Sequence, residues 1–482
     1  MKVITTIIIM GGRIRMSEKN VKNEIIAKPL IVDVGKLIDD SKLNKVSLAT
    51  IILCGFIMMM DGYDMGIMSV TAPAIMEEWG VSATLFGGVF SAAYVGFLFG
   101  AIICGTIADK IGRKKVLIFS GIIFSLGTLL VYFSHSVPEL ILMRIFAGFG
   151  FGGAVPVAIT LTSEYAPLKG KGKYLSVMYT GFVLGTTLAG YVASFIISST
   201  AGWRACFLIG FFAPLIVIAF MIPYMSESAR WLSVSWKTAE QRENLVKLIN
   251  KINPDLKIDA DTQFSSVGIT NQKQHSAKEL FAGRLRWVTP VMWAFYLISS
   301  IALFFFNSWG PQLIVLKGYS VATAAMINGN AQFVGVLSVL GAGFLYDKIG
   351  LRRGWIVYTL AAIVVCFLGG VEGGMFIGVF ILGLFLINCA HMAITILAPS
   401  IYPPNIRNQG AGTGIGVARI GAIIGPLLGG ILLATQLKMS ILIILMVAIP
   451  MFIVAVLCYI VGKQYDMYFA PLYGGQYKTE KN

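Results

Sequence analysis

Two carboxylates, Asp61 and Asp64, interrupt an apolar run that extends from about Ser47 to Met68, in the stretch MMMDGYDMGIM (58–68). A carboxylate at the centre of a membrane-spanning helix costs roughly 2.5–3.5 kcal/mol on insertion scales. The i, i+3 spacing puts both on one helix face, which must look into protein or a wet cavity. Two carboxylates so close cannot easily both be charged, least of all when partly desolvated. Such a pair can take up and release a proton, so proton coupling is the role expected of Asp61 and Asp64. The alternative is a pair of ion-pair anchors that move no proton. Gly62 and Gly66 beside them let a neighbouring backbone or a substrate approach closely.

Arg144 and Arg419 are the two basic residues that fall in the interior of predicted spans, away from their first residues. Arginine stays charged and offers a planar fork that matches a carboxylate. Arg419 therefore needs an anion, either a substrate carboxylate or a fixed partner. Arg144 can pair with an aspartate of the first span or serve as a helix anchor. Glu164 and Arg407 lie near the inner edge, as gate residues or substrate contacts. Weaker candidates are Asn307 in FFFNSWGP (304–311), and Asn388 with His391 at i, i+3 in the tenth span. Aromatic rings around Asn307 can stack on a ring substrate or form core. His391 can bond substrate, shuttle a proton or be a satisfied core group. In SESARWL (226–232), Glu227 and Arg230 are expected to pair.

The elements that hold these residues follow from composition. The chain has 482 residues, 57% hydrophobic and 13% charged, with mean hydropathy +0.80, which points to an integral membrane protein. Runs of about 20 apolar residues occur twelve times, near 48–70, 86–107, 115–133, 139–162, 174–198, 204–224, 288–310, 323–346, 354–371, 374–398, 410–433 and 438–461. With both termini inside, 33 of the 38 Lys and Arg lie in inner segments and three in outer loops. That bias sets the expected topology and accounts for the net charge of +15 without nucleic acid. The predicted organisation is an N-terminal cytoplasmic tail (1–47), a six-helix bundle (48–224), a cytoplasmic central loop (225–287), a second bundle (288–461) and a cytoplasmic C-terminal tail (462–482). The N-terminal run VITTIII is too short for a cleaved signal, and Met16 is the expected start. The six cysteines show no metal-site spacing. No phosphate-binding GxxxxGK[ST], HExxH or paired zinc ligands occur, so a soluble-style enzyme or a primary pump is excluded. No metal or other cofactor is expected, and energy would come from a proton gradient.

The halves repeat. GTIADKIGRKKVL (105–117) and GFLYDKIGLRRGW (343–355) align without gaps at an offset of 238. Parallel six-helix repeats with a midplane site between them are a transporter architecture. GTIADKIGRK resembles the signature loop of the major facilitator superfamily. That resemblance implies an all-α fold of twelve transmembrane helices in two pseudo-symmetric bundles. It also implies a conformational latch at Gly105, Asp109, Gly112, Arg113 and Lys114, with Asp347 in the second copy, where Leu351 replaces an arginine. DGYD followed by TAPAI (71–75), with RIFAGFGFGGAVP (144–156), SEYAP (163–167) and the 401–430 segment, resembles the aromatic acid:proton symporter family. The resemblance implies transport roles for Asp61, Asp64, Arg144, Glu164, Arg407 and Arg419. GAIIGPLLGG (421–430) matches an antiporter pattern of that superfamily, but in the eleventh span. The fifth, where it is diagnostic, contains no proline.

The expected function is proton-coupled import of a small organic anion, an aromatic acid of the hydroxybenzoate, benzoate or phenylpropionate type. Partners would be the acid, protons and the bilayer, the chain being monomeric in a bacterial inner membrane. The alternatives are a symporter for a dicarboxylate such as cis,cis-muconate, an exporter, or a membrane sensor of such acids.

Overall fold

The computed structural model describes residues 31–464 except 200, 237, 254–255, 257, 259–261, 266–276, 284, 350–352 and 404–405. The expected start at Met16 and most of the C-terminal tail lie outside these residues. So do Gly350 and Leu351 of the second signature copy and the side chain of Asp347.

A strand β1 (Ile31–Asp33) leads into a short helix α1 (Val34–Asp39). The first half follows as α2 (Lys45–Trp79), α3 (Ala83–Ile111), α4 (Arg113–Tyr132), α5 (Val137–Tyr165), α6 (Lys171–Ile197) and α7 (Arg204–Tyr224). Between the halves lie α8 (Ala229–Ser235), α9 (Ala239–Ile252), strand β2 (Gln263–Ser265) and a 3-10 turn (Ala277–Phe281). The second half is α10 (Leu285–Leu316), α11 (Val321–Ile349), α12 (Gly354–Cys366), α13 (Gly373–Ile401), α14 (Arg407–Ala434), α15 (Met439–Ile443) and α16 (Ile449–Gln464). A π segment (Ile444–Ala448) joins α15 to α16.

Among the described residues, eleven helices are long and apolar enough to cross a membrane. The segment expected at 354–371 is shorter, 354–369, and its last turn, Phe367–Gly369, is 3-10. Helix α2 begins where Asn44 accepts the Ser47 N–H at 2.9 Å, an N-cap that supplies an otherwise missing partner. It runs through Pro73. A spanning helix tolerates proline because neighbouring groups satisfy the freed carbonyl.

The repeat is expressed in packing. In the first half α2 packs on α6, α3 on α5, and α4 on α7. In the second, α10 packs on α14, α11 on α13, and α12 on α16. The halves meet through α3 with α14, α6 with α11, and α2 with α10. These contacts sit at the end remote from the 105–117 loop. Gly87 of α3 lies against Pro426, Leu427 and Gly430, and Gly190 of α6 lies against Gly329 and Ala325. Ser91 Oγ donates to the Ile423 carbonyl at 2.6 Å, and Ser69 Oγ reaches the Asn307 and Ser308 carbonyls at 2.7 and 2.9 Å. Ser69 and Asn307 are themselves 238 residues apart, the offset of the repeat.

The described parts of the segment between the halves are folded. Strands β1 and β2 pair in parallel. Val34 and Ile38 of α1 are buried with Leu245 and Ile249 of α9. Residues 31–39 of the expected tail are thus part of a layer under the first half.

Candidate functional site

Helix α2 is pressed against α6 because Gly62 and Gly185 carry no side chain. A Cβ on Gly62 would overlap the Phe182 carbonyl, and one on Gly185 would overlap that of Met59. This close approach uses one face of α2 and leaves Asp64 to meet α4 and α5.

The two carboxylates have different surroundings. Asp64 Oδ2 accepts from Arg144 of α5 at 2.6 Å, and Asp64 Oδ1 accepts from Thr128 of α4 at 2.9 Å. Both side chains of the ion pair are 2% exposed. A charge buried so deeply is tolerable only with such pairing. The triad ties α2, α4 and α5 together. Tyr63 adds α7, donating to the Cys206 carbonyl at 2.9 Å. Thr128 was not singled out by sequence reading, since a threonine in a spanning helix usually bonds its own backbone. This one also donates to the Phe124 carbonyl.

Asp61 is buried as well, at 5% exposure, yet accepts no hydrogen bond among the described residues. Arg419 of α14 lies within electrostatic reach of it, and of Tyr94, Tyr179 and His391. The Arg419 guanidinium stacks on Phe97 of α3, its carbon 4.1 Å from the ring centroid. Among the described residues it has no ion pair. Such stacking holds a guanidinium without consuming its N–H groups. The result is one cation, from the second half, facing one unbonded carboxylate from the first.

In the second half, His391 Nδ1 and Ser299 Oγ are 2.9 Å apart, joining α13 to α10. Asn307 Oδ1 accepts from Gln332 of α11 at 2.8 Å. Asn388 Nδ2 donates back to the Leu384 carbonyl at 3.0 Å. Gln332 was missed by sequence reading. The signal available was a run of three amides, Asn328, Asn330 and Gln332, in an eighth span of otherwise mostly small and apolar residues.

Glu164 and Arg407 are not brought to this centre. Glu164 ends α5, with Oε1 3.6 Å from Arg113 Nε. Arg407 is half-buried as the first residue of α14. Around Glu164 the signature loop forms a tight assembly. Asp109 pairs with Arg113 at 3.0 Å. Gly112, with φ of 104°, starts α4 and leaves room that a Cβ would take from the Glu227 carboxylate. Glu227 Oε1 accepts the N–H groups of Arg113 and Lys114 at 2.8 and 3.0 Å, which suits the positive end of a helix. Lys114 Nζ donates to the Ile222 carbonyl. Arg230 pairs with Asp39 at 2.6 Å, so the expected Glu227–Arg230 pair does not form. The helix end competes for one partner and α1 for the other. A Cβ built on Gly105 would meet nothing within 4 Å outside its own helix.

Comparison with known proteins agrees with this architecture. The family model of the Major Facilitator Superfamily matches residues 54–371. The gallate transporter of Pseudomonas putida is 32% identical, over 88% of this chain and 94% of its own length. The 4-hydroxybenzoate transporter PcaK of Acinetobacter baylyi is 31% identical, over 87% of this chain and 92% of its own. The crystal structure of a D-xylose-proton symporter superposes with a TM-score of 0.64 at 18% identity, over 89% of this chain and 99% of its own. The family and these relatives are transporters rather than enzymes. Together with the repeated helix pairing, these matches show that the chain is a multi-pass member of the Major Facilitator Superfamily, in its aromatic acid transporter family.

Proposed function

We infer that the chain imports an aromatic carboxylate together with protons by alternating access. The observation that carries this reading is the arrangement of Asp61 and Arg419. A buried carboxylate with no hydrogen bond needs either a proton or a nearby cation. Arg419 is that cation, and its N–H groups remain available to a substrate carboxylate. When the substrate binds Arg419, it competes with Asp61 for the same positive charge. Substrate binding and protonation of Asp61 then favour each other, and linkage makes the effect reciprocal. Asp64 serves as an anchor for Arg144 in this reading, and the assembly around Glu227 as the latch. The Phe97 ring that carries Arg419, with Tyr94 one turn away, offers aromatic surface to a ring substrate.

The charge bias supports both termini on the cytoplasmic side of a bacterial inner membrane. With that topology, the packed end between the halves faces outward. The names of the relatives support an aromatic acid over a dicarboxylate.

The test is uptake of labelled 4-hydroxybenzoate, benzoate, a phenylpropionate and cis,cis-muconate by bacteria expressing the chain, with and without a protonophore. Accumulation of an aromatic acid that collapses with the protonophore is expected. Asp61→Asn should lose accumulation yet keep exchange of labelled for unlabelled acid, because exchange needs no net proton movement. Absence of uptake of every acid, with normal amounts of protein in the membrane, would overturn this reading.

A further inference from the structure

An amide cluster in the second half stands apart from the carboxylate chemistry. Gln332 Nε2 donates to Asn307 Oδ1 at 2.8 Å, and Asn307 Nδ2 donates to the Leu303 carbonyl at 3.1 Å. Gln332 Oε1 has no hydrogen bond among the described residues, although the residue is only 7% exposed. The oxygen is not fully enclosed, so it opens onto space that water or a ligand can enter. Asn388 reaches the same place from α13. A Cβ built on Gly335 would lie 3.5 Å from Asn388 Nδ2 and 3.9 Å from Gln332 Oε1. Three amides from three helices therefore converge, with one acceptor unoccupied.

Their height relative to Arg419 is informative. Helix α14 lies against α10 with Gly414 at Tyr296 and Gly421 at Leu297 and Ser300. This puts Arg419 level with the start of the Ser299 turn, where His391 is bonded. Asn307 is two turns further along α10, a rise of about 12 Å. Phe304 lies between, its ring edge-on to Tyr94 with centroids 5.0 Å apart. An aromatic ring with a carboxylate at one end, a hydroxyl at the other, and a hydrogen bond of ~2.8 Å at each pole spans a gap of this order.

We propose that the Gln332–Asn307 amide pair, with Asn388 beside it, is the second pole of the substrate site and reads a ring hydroxyl remote from the carboxylate. The phenolic O–H donates to Gln332 Oε1, filling the empty acceptor. The chain then takes hydroxylated aromatic acids in preference to unhydroxylated ones, because the latter leave that acceptor unpaired. This rests on the aromatic-acid reading above.

The experiment is transport by the full chain in proteoliposomes, measuring kcat/KM for 4-hydroxybenzoate and for benzoate. The wild type should favour 4-hydroxybenzoate by about tenfold or more, equivalent to ~1.4 kcal/mol. Gln332→Met, of similar volume but with no acceptor, should reduce that preference to within about threefold. The loss should fall mainly on 4-hydroxybenzoate, with kcat/KM for benzoate changing by less. Should this variant fail to reach the membrane, Gln332→Asn withdraws the acceptor by one methylene and should also erode the preference. A wild type without preference, a ratio unmoved by substitution, or equal losses for both acids would overturn the assignment while leaving aromatic-acid transport intact. A wild type that transports neither acid overturns the underlying reading and this inference with it.

Discussion

The Asp64–Arg144 pair permits a quantitative test of what holds the first half together. The two side chains are 2% exposed and 2.6 Å apart, so removing either leaves an uncompensated charge in a low-dielectric interior. Breaking a buried pair in this way costs about 3–5 kcal/mol. Arg144→Met should approach that cost, with Thr128 as the remaining partner of Asp64. At ~2.1 cal/mol/K of unfolding entropy per residue, a chain of 482 residues has about 1 kcal/mol/K in total, so the melting midpoint should fall by about 3–5 °C.

The second arm is the double variant Asp64→Asn with Arg144→Met, which removes both charges. It should recover at least half of the loss, giving a coupling energy of about 2 kcal/mol or more. Five of the six cysteines are buried and none is in a disulfide. A thiol-reactive dye followed during heating in detergent therefore reports the transition. If the double variant is no more stable than Arg144→Met, or Arg144→Met melts within 1 °C of the wild type, the pair is not an anchor. Transport offers a separate readout. A pair that acts as an anchor alone allows the double variant to keep proton-dependent accumulation, whereas loss of accumulation in a stable double variant would assign proton traffic to Asp64.

Two further outcomes follow from the latch and the packed end. Glu227→Gln removes the charge that accepts the Arg113 and Lys114 N–H groups; stability should fall by about 1 kcal/mol, and maximal uptake rate should fall with KM unchanged, as measured in whole-cell kinetics. Gly190→Leu cannot be seated against Gly329 and Ala325, so the packed end should open. A Ser69→Cys reporter, at a site 4% exposed, should then react severalfold faster with an impermeant maleimide, and unchanged reactivity would place the closure elsewhere.

Much of the fold was legible because hydrophobicity and length dominate in a membrane. Every spanning helix was found from apolar runs, and the 238-residue repeat anticipated the matched packing of α2 on α6 and α10 on α14. The short α12 was over-read, since composition does not reveal that Phe367–Gly369 winds as a 3-10 turn. The buried charges were also visible, because Asp61, Asp64, Arg144 and Arg419 stand out against apolar sequence. Their partners were not. Spacing i, i+3 suggests that Asp61 and Asp64 form one unit, but a shared helix face does not decide which neighbours arrive there. Thr128 and Gln332 gave little signal, because single polar residues in spanning helices often satisfy themselves locally. The region 225–287 read as a connector because its apolar residues are sparse. Val34 and Ile38 complete its core from a distant part of the chain, a complementarity that no local pattern displays.

The unequal fates of Asp61 and Asp64 bear on how such a carrier would couple two gradients. Asp64 is held at both oxygens, by Arg144 and by Thr128, and so ties three helices together. Asp61 has no hydrogen bond to give up among the described residues, and Arg419 is the foremost charge attracting it. That attraction is also what a substrate carboxylate would take over. The same guanidinium therefore cannot fully serve Asp61 and the substrate together. In the proposed cycle, the empty site keeps Asp61 charged beside Arg419, while the loaded site keeps it protonated. Both states present a neutral centre to the bilayer, and a neutral centre is what the low-dielectric midplane permits to rearrange. Substrate without proton, or proton without substrate, leaves a net charge buried between the halves and holds them apart. Arg419→Lys makes this argument testable. A lysine keeps the charge but loses the planar fork that stacks on Phe97 while meeting a carboxylate edge-on. Substrate affinity should fall at least tenfold, while the dependence of the remaining uptake on the proton gradient survives. Uptake by Arg419→Lys that no longer responds to a protonophore would mean that proton coupling needs the fork itself rather than the shared charge, and the competition between Asp61 and substrate would not be the coupling device.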